Sequence, residues 1–88
     1  MAVLYIPPQM RDVCGNRSEF SVKGRTLRQI MNQMETTCPG FTARLFTSEG
    51  LPVSGLAISI DGVVTSRGLL TPVKKDSEIH ILPALGGG

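Results

Sequence analysis

Few residues in this chain are of a type and placement that suggest chemistry. They are three terminal glycines, Gly86-Gly87-Gly88, two cysteines, Cys14 and Cys38, and one histidine, His80. Glycine has no side chain to pack and loses the most freedom when ordered, so three in a row at an end do not belong to a core. They predict a thin, flexible tail whose only reactive group is the Gly88 carboxylate. With a reference pKa of about 3.5 that group is ionised at neutral pH. From Pro83 the last residues could span about 20 Å, enough to carry the carboxylate into a narrow channel of another enzyme. A frayed end or a linker remnant is the competing reading.

Cys14 and Cys38 could pair. They are too few for a disulfide framework or for a four-thiolate iron–sulfur or zinc site, so two free thiols are expected, idle or buried rather than relaying sulfur. His80 has the titration range of a general base. No serine, cysteine or acid pattern surrounds it in the sequence, and its strand parity gives it another place. If residues 78–82 alternate, Ile79 and Ile81 (with Leu85 beyond) share one face, and His80 and Leu82 (with Ala84) share the other. His80 is therefore expected on a sheet surface, at a partner interface.

The elements that must position these groups can be read in order. Ala2-Val3-Leu4-Tyr5-Ile6 is a strand stopped by Pro7-Pro8. Gln9 to Arg17 reads as a loop or wide turn, and Ser18 to Lys23 alternates as a half-buried strand pairing antiparallel with the first. Thr26 and Gln29 form a capping-box pattern, and Leu27, Ile30, Met31 and Met34 make one helical face. Those methionines are read as core rather than as a binding groove. Pro39 and Gly40 end the helix. Phe41, Leu45 and Phe46 suggest a short helical turn. Leu56 to Ile60 is a strand, Asp61-Gly62 a type I′ hairpin signal, and Val63-Val64-Thr65 the return. Residues 68–73 form a connection with apolar anchors, Lys74 to Ser77 a solvated turn, and Glu78 to Leu82 the last strand. One main helix on one face of a sheet is an α+β arrangement of the β-grasp kind. The expected division is a β-grasp domain over 1–82 and a tail over 83–88.

Bulk properties remove several function classes. Eighty-eight residues make one domain with a thin core. Net charge is +2 with basic residues scattered, Trp absent and only one Tyr, so the basic and aromatic stripe of a nucleic-acid binder is missing. No apolar run is long enough to span a membrane, and no signal peptide is seen. A cytoplasmic protein without nucleic-acid or membrane partners is expected.

Two stretches carry a resemblance. Ile58-Ser59-Ile60-Asp61-Gly62, and Glu78-Ile79-His80-Ile81-Leu82-Pro83-Ala84 running to Gly87-Gly88, resemble the ubiquitin-like sulfur carriers of the MoaD/ThiS type. That family includes the small subunit of molybdopterin synthase, the thiamine-pathway carrier and the carrier for a cysteine synthase. Ile6-Pro7 with its long loop and Gly24-Arg25-Thr26-Leu27 are most similar to the cysteine-synthase carrier. Gly86 departs from the Ala or Ser common in relatives, and residues 41–55 match nothing sharply.

The resemblance implies a carrier with no active site and no cofactor of its own. A ThiF/MoeB-like adenylyltransferase using ATP and Mg²⁺ would join the Gly88 carboxylate to AMP. A sulfur donor would convert it to a thiocarboxylate, and an acceptor synthase would receive the sulfur. Gly87 and Gly88 would be the reacting end, with Leu82, Pro83, Ala84, Leu85 and Gly86 binding partners. Two other readings stand beside it: a protein modifier joined to lysines through Gly88, and a binding module with an inert tail.

Overall fold

The computed structural model describes residues 1–83. Ala84, Leu85, Gly86, Gly87 and Gly88 lie outside the described residues. The elements in order are β1 (Ala2–Tyr5), a 3₁₀ helix (Pro8–Cys14), β2 (Glu19–Val22), α1 (Leu27–Thr37) and α2 (Phe41–Leu45), followed by β3 (Leu56–Ile60), β4 (Val63–Val64), a second 3₁₀ turn (Gly68–Leu70) and β5 (Glu78–Pro83). The strands form one mixed sheet in the order β2-β1-β5-β3-β4. This is the expected β-grasp fold. β1 and β2 pair antiparallel as read, β1 and β5 run parallel, and β5 is antiparallel to β3.

α1 forms where its apolar spacing predicts. Thr26 Oγ1 accepts from Gln29 N–H at 3.4 Å, satisfying one free amide of the first turn. Gln29 Oε1 reaches back to accept from Arg25 N–H at 2.7 Å, one residue ahead of the capping-box position. Leu27, Ile30, Met31 and Met34 are all buried, in one cluster with Leu4, Ile79, Ile58 and Val22 from the covered face of the sheet. Each such side chain contributes about 1.5–3 kcal/mol by leaving water. Glu35 links the two helices: its carboxylate accepts from Gly40 N–H at 3.0 Å and Thr42 N–H at 2.7 Å. Those bonds, Thr42 first, hold its pKa below the ordinary value.

The Asp61-Gly62 turn has positive φ at both residues, 53° and 86°, as type I′ requires. Asp61 does more than turn. Its two carboxylate oxygens accept from Glu78 N–H at 2.9 Å and Ser77 Oγ–H at 2.8 Å, which fixes the start of β5 and lowers the Asp61 pKa. Gly68, at φ 55°, sits so close to the Gly50 carbonyl that any Cβ would collide with it, and the neighbouring Leu69 N–H donates to that carbonyl at 2.9 Å.

Three expectations are corrected. Residues 8–14 are a 3₁₀ helix rather than plain loop, because Pro7 and Pro8 supply its starting geometry and Met10 and Cys14 anchor it in the core. The thiols are not free: Cys14 and Cys38 are bonded, with their Cα atoms 5.0 Å apart. The 3₁₀ helix ends at Cys14, and Cys38 is the C-cap of α1, so the fold delivers both to one place. β5 also continues through Pro83, paired with Leu56, one residue further than read.

Candidate functional site

β5 carries the chain toward its terminal glycines, and it is the central strand, bonded to β1 on one side and β3 on the other. Its alternation is as read: Ile79 and Ile81 are buried, while His80 is half-buried and Leu82 exposed. Strand register then extends the His80 side into a row across the whole sheet. Glu19, Tyr5, His80, Ser59 and Val64 stand side by side on β2, β1, β5, β3 and β4. Leu82 beside Ala57 forms the next row toward the tail, and Val3 beside Glu78 the next row away from it.

No helix covers this face in the described residues, and its geometry is settled by the side chains themselves. The Tyr5 and His80 rings stack, centroids 4.5 Å apart and 7° from parallel. The Glu78 carboxylate approaches His80 Nε2 at 3.6 Å. With Ser59 buried between its neighbours, the surface is a flat platform of two rings flanked by Leu82 and Val64, 38% and 58% exposed. Such a platform suits docking against an apolar partner surface. The two sulfurs are bonded to each other and lie in the core, so neither is a free thiol. Among the described residues no group of three or more acidic, His or Cys side chains is placed to hold a metal ion. No helix among them is long and apolar enough to cross a membrane.

Of the residues read as a site, Leu82 and Pro83 close the described chain at the exit end of the platform. Ala84, Leu85, Gly86, Gly87 and Gly88 fall outside the described residues. Tyr5, Ala57 and Val64 were not singled out from sequence. The signal was present only as parity: Ala2 and Leu4 are buried while Val3 and Tyr5 are not, but an unbroken apolar run hides that alternation.

The sequence model described as the ThiS family matches residues 5–88. No curated protein matches the sequence. A chain of the Amycolatopsis orientalis BexX/CysO complex is 28% identical, with all of both chains covered and a TM-score of 0.88. Mycobacterium tuberculosis CysO is 26% identical, covering 97% of this chain and 100% of that one, also at 0.88. The small archaeal modifier protein 1 of Methanosarcina acetivorans, at 21% identity, 99% and 95% coverage and a TM-score of 0.75, shares the fold. With its β-grasp sheet, its open platform and a family match that runs to the last glycine, the chain belongs to the ThiS family and is of the ubiquitin-like sulfur-carrier type.

Proposed function

We propose that this protein is a protein co-substrate rather than an enzyme, and that Gly88 carries the reacting group. A carboxylate is a poor acyl donor because its leaving group would be oxide. A ThiF/MoeB-like adenylyltransferase, binding ATP and Mg²⁺ itself, joins the Gly88 carboxylate to AMP and releases pyrophosphate. Sulfide from a donor then attacks the acyl carbon, AMP leaves, and a thiocarboxylate remains; a persulfide donor would first form an acyl disulfide, which a thiol reductant cleaves to the thiocarboxylate. An acceptor synthase takes that sulfur. Gly86 and Gly87 keep the end narrow, and Leu82, Pro83, Ala84 and Leu85 contact the partner beside the platform. Ordering the tail in a channel costs about 1–2 kcal/mol per residue. Burial of the Tyr5, His80, Leu82 and Val64 surface offsets that cost. The division into a domain over 1–82 and a tail over 83–88, and a cytoplasmic setting, belong to the same reading.

The observation that supports this most is the family match extending through Gly88. The test is the intact mass after incubation with the adenylyltransferase, ATP, Mg²⁺ and sulfide. Replacement of one oxygen by sulfur is expected, absent when Gly87 and Gly88 are deleted. An unchanged mass with an active partner overturns the proposal. Lysine conjugates formed through Gly88 instead would identify a modifier.

A further inference from the structure

The pole of the sheet opposite Pro83 has a charge pattern that sulfur carriage does not use. β1 runs parallel to β5 with Val3 beside Glu78, so Met1, Ala2 and the turn before Glu78 lie at one end and Pro83 at the other. Five residue steps separate them, about 17 Å at the usual strand rise. At this far pole a hollow of about 630 Å³ opens between the start of β1, the end of β2 and the turn at residues 74–77. Buried Ala2 and Val22 form its apolar base, and exposed Lys23, Arg25 and Lys75 line it.

Those cations are concentrated there without partners. Elsewhere, Arg11 donates to the Ile6 carbonyl, Arg17 lies over the Phe20 ring and Arg44 pairs with Asp12, while Arg28, Arg67 and Lys74 also take part in no ion pair among the described residues but do not line the hollow. Among the described residues, Lys23, Arg25 and Lys75 take part in no ion pair, and the adjacent Asp76 is engaged by the Met1 nitrogen at 3.0 Å. Three like charges around one hollow repel, and a bound anion relieves that repulsion. The backbone at Lys23, at Arg25 and at Lys74, next to Lys75, is already held by hydrogen bonds. Lys23 N–H donates to Gln33 Oε1 at 2.9 Å, Val73 N–H to the Arg25 carbonyl at 2.8 Å, and Lys74 N–H to Ser77 Oγ at 3.0 Å. The backbone around the hollow is thus ordered before a ligand arrives, and the cost left to binding is the rotamer freedom of the three exposed side chains.

The hollow also adjoins β2, which is an edge strand of the sheet. Its outer backbone groups at Glu19 and Ser21 can pair with an added extended segment, whereas the Lys23 N–H is already taken by Gln33 Oε1. We propose that this pole docks an acidic polypeptide segment of a partner protein, its backbone along β2 and its carboxylates on Lys23, Arg25 and Lys75. Because the site lies at the far end of the sheet from Pro83, it can be occupied while the tail is inside another enzyme. That simultaneous use rests on the carrier reading; the binding itself does not.

Amide NMR of the full chain titrated with a hexaglutamate peptide tests this, with inorganic phosphate as a second probe. The expected result is shifts at Ser21–Arg25 and Lys75, weakened by salt and at least about tenfold weaker in K23E/R25E/K75E, but not in Tyr5→Ala. The neutral K23Q/R25Q/K75Q set serves if the reversed charges prevent folding. Absent shifts, shifts confined to another surface, or equal binding by the variants overturn the proposal. Phosphate binding as tightly as the peptide overturns the polypeptide assignment. Thiocarboxylate formation measured on the same variants reports separately on the carrier reading.

Discussion

The two faces of this sheet are built from adjacent residues and put to opposite use. On β5, Ile79 is fully buried against α1 and its neighbours, while His80, one peptide bond away, stacks on Tyr5 at the surface. The covered face accounts for the stability of a small domain. The open face leaves apolar area of Leu82 and Val64 exposed. Alternation along one strand is enough to separate these tasks.

The sharpest way to break that contrast is a pair of variants. Ile79→Ala should lower the unfolding free energy by about 2–5 kcal/mol, read by urea denaturation. His80→Ala should change it by less than about 1 kcal/mol, yet weaken docking to the adenylyltransferase at least about tenfold. Similar stability losses from both would mean that the two faces are not divided as described. Next in size is the Cys14–Cys38 bond, which closes a separation of 24 residues. Removing it by Cys14→Ala with Cys38→Ala should cost about 3 kcal/mol under non-reducing conditions and leave docking on the open face unchanged. A docking loss equal to that of His80→Ala would tie the 3₁₀ helix to the platform.

The smallest effect is a pH dependence. The Asp61 carboxylate is held below its ordinary pKa by the Glu78 amide and the Ser77 hydroxyl. A lowered pKa means that its contribution is present above about pH 4 and is lost as pH falls through the folded value. Asp61→Asn should therefore be less stable than the parent at neutral pH, with the gap closing in acid. A gap that is constant with pH would show that the charge on Asp61 is not what fixes the start of β5.

Elements defined by local chemistry were legible in the sequence. The stripe of Leu27, Ile30, Met31 and Met34, the Thr26 cap and the Asp61-Gly62 turn each depend on residues within a turn or two. What depends on distant strands meeting was less legible. The place of β5 between β1 and β3 followed from resemblance rather than periodicity, since pairing partners lie nineteen or more residues apart. The Cys14–Cys38 bond needed the 3₁₀ helix and the end of α1 to converge, and neither spacing announces it. The platform was half legible, because the parity of β5 was visible and that of β1 was masked by its apolar composition.

The central place of β5 has a mechanical consequence. A pull applied beyond Pro83 runs along a strand bonded on both sides, so the ladders to β1 and β3 are loaded in shear and their bonds share the force. An edge strand such as β4, peeled away sideways, would surrender its bonds one at a time. The domain thus resists a pull on its end beyond Pro83 better than it would if its last strand lay at the edge of the sheet.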